Sequence, residues 1–358
     1  MRVLVLTTAA SWTPAIRLLI TLGAELAARG DIVTVACLGR GPLERRIEAI
    51  FPRLPVRGIT GQGSLARIRS ARGIAAALRP DAILVQSESD MLLAAMATGR
   101  RGGVVRRWCV DEEAPDRRAA ARTWRTRVAG LRTRLTSWGR NPIAVSWPGP
   151  ESGAVHVVPA TADAVPAALW IMPPAEHDER TAVALRAAAR LVGRHPSLRI
   201  VLLGELAALQ STRVHAASLG LTAFVQVAPV DALLLADRVD AAAVWVTADG
   251  DDGAIATIAA MQRGIPVVVP GALSFSSMVA SRITGFVVAD ADVSTIVAEL
   301  ARLVSDRHEF DAMGDAARSR ATRLHDWQQF IDEAADVLSR ASGTRVPSAA
   351  VRASLTTA

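Results

Sequence analysis

The chain has 358 residues, of which 51% are hydrophobic and only 4% aromatic, and its formal net charge is +7. That length is enough for two domains of ordinary size, each with a core of its own. Neither lysine nor tyrosine occurs, so all 41 basic residues are arginine, which excludes a Schiff-base lysine, a P-loop lysine and a Tyr/Lys reductase pair.

Residues 2–7 (RVLVLT) read as a strand, followed by a helix over 15–29, the strand IVTVACL, a helix over 44–51, PVRGI, a helix over 63–78 and AILVQS. The alternation continues through a helix over 90–99, GVVRRWC, a helix over 116–138, PIAVS and VHVVP at 155–159. After the small-residue stretch 160–168 the cycle restarts with ALWIM, a helix over 179–194, LRIVLLG, a helix over 206–219, FVQVAPV and DAAAVWVT. In DDGAIATIAAMQRGIPVVVPG, Asp251 or Asp252 can cap a helix, Gly264 suits its left-handed end, and Pro266 leads into the apolar strand Val267–Val269. GFVVA at 285–289 and helices over 292–304, 307–321 and 326–340 complete the pattern.

Strands alternating with helices of this length predict doubly wound parallel sheets. Two sets of similar size predict two Rossmann-like domains facing a cleft, over 1–160 and 161–325. A helix over 326–341 is expected to cross back to the first, and 342–358, rich in Ser, Thr and Ala, reads as a disordered tail. The polar loop that opens the helix at 251 lies just past a strand end, where open α/β sheets place ligands, although the same carboxylates serve equally as helix caps.

Cys37 and Cys109 both fall in strand-like runs, so neither a disulfide framework nor a thiolate metal site is expected, and a reducing cytoplasm is. The six histidines show no pair at metal-ligand spacing, so no metal or other cofactor is expected. No apolar run reaches the ~18 residues of a membrane span, and the opening run reads as a strand, not a secretory leader.

The charge is concentrated. Residues 100–140 hold twelve arginines against Asp111, Glu112, Glu113 and Asp116, an excess larger than the net charge of the whole chain. Within 117–138, Trp124, Val128, Leu131, Leu135 and Trp138 recur at spacings of four and three, one apolar stripe with arginines around it. Such a helix either packs on the first sheet with a solvated basic back or lies on an anionic membrane surface at the inner face. No nucleic-acid-binding module accompanies the charge.

Taken in order, several of these segments resemble the nucleotide-sugar-dependent retaining glycosyltransferases of the GT-B fold, the family-four or group 1 type. ARGDIVTVAC resembles that family's Gly-His-x-Val-Thr-Val second strand, RPDAILVQS its Pro-Asp strand, and VHVVPATAD its link into the second domain. RVHAASLGLTAFVQVAPV resembles the helix, Leu-Gly-Leu turn and strand before the donor site, and DWQQF the Trp-containing crossing helix. The segment from Asp251 to Val269 resembles the donor motif, in which Glu, seven residues and a second Glu precede Ala-Met-Ala-x-Gly-x-Pro-Val-Val.

The resemblance implies a GT-B-like architecture and transfer of a sugar from a nucleotide-sugar donor to a glycan or lipid-linked acceptor, with retention, in cell-surface polysaccharide or glycolipid synthesis. On the donor side it points to Asp251, Asp252, Gly253, Ala254, Ala259, Gly204, Glu205, Arg180 and His177, with Asp251 orienting the sugar as the catalytic candidate. On the acceptor side it points to Thr8, Ala9, Ser11 and Asp111.

The departures from the pattern are concentrated in this site. Ala259 stands where the family's second Glu accepts hydrogen bonds from the ribose, each worth ~1.5–3 kcal/mol when charge-assisted. Pro173 and Pro174 replace Gly-Arg at the diphosphate, with Arg180 beside the Lys place, AASWTP replaces the glycine pair after strand one, and no His stands near CVDE. The alternative reading is therefore a non-catalytic GT-B scaffold that binds a glycan, a nucleotide sugar or a partner transferase. An epimerase on the same fold lacks the carboxylate and His set it would need.

Overall fold

The computed structural model describes residues 1–98, 103–107, 135–138, 168–235, 241–288, 293–324 and 327–342. They form two compact units, Met1–Arg140 with Trp327–Ala358, and Asn141–Asp326. The expected boundary at 160, the strands PIAVS and VHVVP, and the tail beyond 342 lie outside the described residues.

In the first unit the strands are β1 (Arg2–Leu6), β2 (Ile32–Leu38), β3 (Val56–Ile59), β4 (Ala82–Val85), β5 (Gly103–Arg107) and β6 (Leu135–Trp138). They pair in the order β3-β2-β1-β4-β5-β6, all parallel. The crossovers are α1 (Pro14–Ala28), α2 (Pro42–Ile50), α3 (Ser64–Leu78) and α4 (Glu88–Thr98). Thr13 starts α1, its hydroxyl accepting the Ile16 N–H, and Pro14 follows at the first helical position, where no amide hydrogen is needed. Leu4, Leu6, Ala36, Ile83 and Val85 form part of one core face.

Strand β6 replaces the last four residues of the helix expected over 116–138. Residues 135–138 pair in register with β5, Val104 opposite Leu135 and Arg107 opposite Trp138. A β-branched Thr136 and an aromatic Trp138 suit a strand, and pairing with β5 supplies a ladder that the helical spacing of the stripe could not reveal. Residues 108–134 are outside the described set.

The second unit repeats the topology. Its strands are β7 (Ala168–Met172), β8 (Arg199–Leu203), β9 (Val225–Ala228), β10 (Ala243–Val246), β11 (Val267–Pro270) and β12 (Gly285–Val288), in the order β12-β11-β10-β7-β8-β9. Counted from its own first strand, this is the 3-2-1-4-5-6 order of the first unit and of dinucleotide-binding sheets. Every residue of β7 and of β10 is buried, as a central strand covered on both faces requires.

The helices here are α5 (Glu179–Arg194), α6 (Gln210–Ser218), α7 (Asp231–Leu235), α8 (Gly250–Gln262), α9 (Val293–Ser305) and α10 (Arg307–Leu324). Helix α6 begins later than its periodicity suggests, because the Glu205 carbonyl accepts from Ala208 and Leu209 N–H and turns the chain first. The short α7 was not evident from the sequence. Helix α11 (Trp327–Ser342) belongs to the first unit and packs on β4, β5 and α1, with Phe330, Ile331, Ala334 and Leu338 buried.

Candidate functional site

In each sheet the strand order reverses once, between β1 and β4 and between β7 and β10, and ligands of such folds bind beyond the carboxyl ends of strands at these points. The second unit's reversal is closed by backbone and threonine contacts. The Met172 carbonyl at the end of β7 accepts from the N–H groups of Thr247 (2.9 Å) and Ala248 (3.0 Å). Below them the buried hydroxyls of Thr181 and Thr247 lie 2.9 Å apart, tying the start of α5 to the end of β10.

Two helix starts therefore stand side by side. Asp178 caps α5, accepting from the Thr181 N–H (2.9 Å) and hydroxyl (2.8 Å), and Asp249 caps α8, accepting from the Gly250 N–H at 2.7 Å. Arg180 spans them, its Nε 2.7 Å from Asp178 and a terminal nitrogen 3.7 Å from Asp249. Burial works against the Asp178 charge, but the Thr181 amide and hydroxyl and the Arg180 guanidinium outweigh it and hold this carboxyl below the ordinary range.

Asp251 and Asp252 occupy the first turn of α8, half-buried, where negative charge complements the helix start. Gly253 lies directly beneath the strand end, since a Cβ there would meet the Ala248 carbonyl oxygen at 2.1 Å and the Phe275 ring at 2.6 Å. Ala254 and Ala259 have no exposed surface at all. Ala259, at the place of the family's second Glu, is a buried methyl in a helix whose residues Gly253 to Met261 are all buried.

Gly204 closes β8 with φ +154° and its N–H on the Ala228 carbonyl at 2.9 Å, and Glu205 follows half-buried. His177 precedes the Asp178 cap. Its ring centroid is 4.8 Å from that of His215 on α6, tilted by 37°, and its Nδ1 is 3.5 Å from the Thr212 hydroxyl. Burial first, and the neighbouring His215 second, push the His177 pKa down, against the opposing pull of Asp178 and Glu179. Among the described residues no three His, Cys, Asp or Glu side chains converge as a metal site would need. His215 and Thr212 are residues that sequence reasoning missed, because their approach to His177 depends on how α6 packs beside the loop.

At the first unit's reversal, Thr8 donates both its N–H (2.8 Å) and its hydroxyl (2.6 Å) to Asp90, whose own N–H is held by the Ser87 hydroxyl at 3.0 Å. Asp90 is buried, and desolvation outweighs these hydrogen bonds, so its pKa is raised. Ala9 and Ser11 follow, half-buried, and then the buried Trp12, whose ring lies 5.6 Å from the Arg17 guanidinium and 5.4 Å from that of Arg46. Asp111 lies outside the described residues. Asp90, 82 residues beyond Thr8 in the chain, gave no local signal in the sequence.

These two strand-end sites sit on a pair of similar sheets, and the structural comparisons bear directly on that pairing. The structure superposes on Anabaena HepE, solved in complex with UDP and glucose, with a TM-score of 0.66 at 15% identity, over 95% of this chain and 100% of that one. The fold is GT-B-like. A Staphylococcus aureus TarM mutant in complex with Fondaparinux, alpha-GlcNAc-glycerol and UDP superposes with a TM-score of 0.68 at 7% identity, over 94% and 99%. A candidate UDP-N-acetylglucosamine 2-epimerase from Listeria monocytogenes does so at 0.63 and 15%, over 97% and 98%. Residues 172–320, most of the second unit, match the family of glycosyl transferases group 1. No curated protein matches the chain. One fold thus carries more than one chemistry among these relatives, so function has to be argued from the site.

Proposed function

We propose that the protein transfers a sugar from a nucleotide-sugar donor to a glycan or lipid-linked acceptor, with the second unit holding the donor. The observation that carries this reading is the coincidence of the glycosyl transferases group 1 match with the β7/β10 strand ends, where Arg180, His177 and the starts of α5 and α8 gather. In this scheme the diphosphate lies against the helix starts, which attract anions, and Asp251 orients the sugar. The carboxyl edge of the first sheet, with Thr8, Ala9 and Ser11, receives the acceptor. UDP bound to HepE and to TarM supports a nucleotide donor.

Retention is the stereochemistry that the resemblance implies, with the departing diphosphate assisting removal of the acceptor proton, so few protein acid/base groups are required. The membrane surface expected of residues 117–138 falls outside the described residues except at β6. Among the described residues no helix is long and apolar enough to cross a membrane.

The reading is tested by a thermal-shift panel of nucleotide sugars followed by product analysis with glycan and lipid-linked acceptors. A ligand at a hundred times its dissociation constant adds about 2.7 kcal/mol to the native state. Failure of every nucleotide sugar to raise the melting temperature would sink it. Binding without turnover with any acceptor or with water favours the scaffold reading, which draws support from Arg180, already paired with two aspartates, and from Ala259, a buried methyl in place of the family's second Glu.

A further inference from the structure

We infer that the β3 edge of the first unit is a docking surface for a polyanionic glycan, one that carries sulfate, phosphate or carboxylate groups along its length. Its assignment as the acceptor rests on the reading of the protein as a glycosyltransferase, while the surface itself is read from charge. Residues 39–80 contain nine arginines against two carboxylates, Glu44 and Glu48, an excess equal to the formal net charge of the whole chain. The donor does not account for it. Residues 141–326, the unit to which the anionic nucleotide sugar is assigned, contain fourteen arginines against twenty Asp and Glu.

The fold gathers these arginines around one edge. Strand β3 pairs with β2 and ends its sheet. Crossovers between parallel strands are right-handed, so α2, which carries the chain outward to β3, and α3, which brings it back to β4, cover opposite faces. Arg45 on α2, Arg57 on β3 and Arg67, Arg69 and Arg72 on α3 are all exposed, and the positive charge therefore wraps the edge from one face to the other.

The charges of this edge are not neutralised from within. Arg45, Arg57, Arg67 and Arg69 form no ion pair with any described residue, Arg72 donates to the Met96 carbonyl, which is neutral, and Glu44 accepts from the backbone N–H of Arg40. The second unit treats its surface arginines differently. Arg186 pairs with Glu179, Arg307 with Asp311 and Arg318 with Asp315, while Arg302 sits between Glu299 and Glu309. Use of arginine throughout the chain thus does not explain the edge, where like charges repel one another until an anion is supplied.

A charged glycan fits this surface better than a membrane or a nucleic acid does. A membrane-surface element inserts Trp, Phe or Leu side chains, and among residues 39–80 the one large apolar side chain that is exposed is Leu65, at 70%. A surface that turns a corner also meets a flat bilayer on one side only, whereas a flexible chain follows it. Single-stranded nucleic acid stacks its bases on aromatic rings. The one aromatic residue of the segment, Phe51, is half-buried, its ring 5.2 Å from the Arg17 guanidinium.

The test is fluorescence anisotropy of labelled dextran sulfate, and of unsulfated dextran of the same length, with the whole protein at low and high salt. Dextran sulfate alone should bind, and more weakly at high salt, because exposed charges are screened. Replacing four arginines together, Arg45→Gln, Arg57→Gln, Arg67→Gln and Arg69→Gln, should lower the affinity at least about tenfold. Lysine at the same four positions should retain it. A control that removes equal charge from the other basic segment, Arg117→Gln, Arg118→Gln, Arg122→Gln and Arg125→Gln, should stay close to wild type. Equal losses in the edge variant and the control overturn the inference, as does a lysine variant as weak as the glutamine one. Phosphatidylglycerol vesicles or a single-stranded DNA oligonucleotide that bind more tightly than dextran sulfate, and are released by the glutamine variant of the edge, overturn it in favour of a membrane or a nucleic acid. Nucleotide-sugar stabilisation is read separately in the same proteins. If dextran sulfate binds through the edge while no nucleotide sugar raises the melting temperature, the docking surface stands and the acceptor assignment falls with the donor reading. If nucleotide sugars bind and dextran sulfate does not, the inference alone falls.

Discussion

Asp90 is a carboxylate buried in the first unit whose hydrogen bonds do not repay its desolvation, and its raised pKa has a definite sign for stability. A carboxyl whose folded pKa lies above the unfolded value contributes fully below the ordinary carboxylate range and loses that contribution as pH rises through the folded value. Asp90→Asn keeps an acceptor for the Thr8 amide and hydroxyl without the charge, so it should match or exceed wild-type stability at pH 7 and lose this part of the pH dependence. Asp90→Ala leaves the Thr8 donors unpaired and should cost about 1–3 kcal/mol. Urea unfolding of the three proteins from pH 4 to 8 checks both, and an Asn variant as unstable as the Ala variant would show that the charge itself holds the loop. Ala259 gives the opposite case. With its methyl wholly buried, Ala259→Glu forces a carboxylate into the core of α8 and should cost roughly 3 kcal/mol or more, visible as a large fall in melting temperature, instead of restoring ribose contacts.

At the scale of elements, the two adjacent helix starts depend on their caps. Asp178→Ala removes an acceptor from the Thr181 amide and should cost ~1 kcal/mol, while Asp178→Asn keeps the cap and releases Arg180. Because the Asp178 carboxyl is held below the ordinary range, its charge stabilises at neutral pH, and that contribution is lost as pH falls through the folded value. The stability difference between wild type and Asp178→Asn should therefore shrink on acidification, a trend that thermal unfolding at pH 7 and pH 3 would expose or refute. Helix α5 shows what sequence makes visible: Asp178 is a cap residue, apolar positions recur at helical period, and the expected span of 179–194 is the observed one. Helix α8 shows the limit, for its residues from Gly253 to Met261 are all buried, so no exposed face existed in the pattern to tell which side a motif residue occupies. Strand β6 and the approaches of Asp90 to Thr8 and of His215 to His177 were invisible for another reason, since they join segments that only the folded topology brings together.

For the molecule as a whole, the chain leaves the first unit, builds the second and returns, so that α11 completes a core begun more than two hundred residues earlier. Phe330 (3% exposed), Ile331 (1%) and Leu338 (0%) face inward, and Arg29 on the segment that ends α1 reaches Asp332 at 2.6 Å. Burying three such side chains contributes on the order of 5–9 kcal/mol, comparable to the whole stability of a typical domain. The Arg29 pair, partly exposed, adds at most about 1 kcal/mol. A chain ending after Leu324 should therefore lose the folding of its first unit while residues 172–320, which carry the glycosyl transferases group 1 match, keep theirs. Calorimetry should show one transition abolished or shifted far downward and another preserved, and the preserved one should still respond to whichever nucleotide sugar stabilises the intact protein. If both transitions survive truncation unchanged, α11 is an accessory to the first unit; if both disappear, the second unit depends on the first for its own stability.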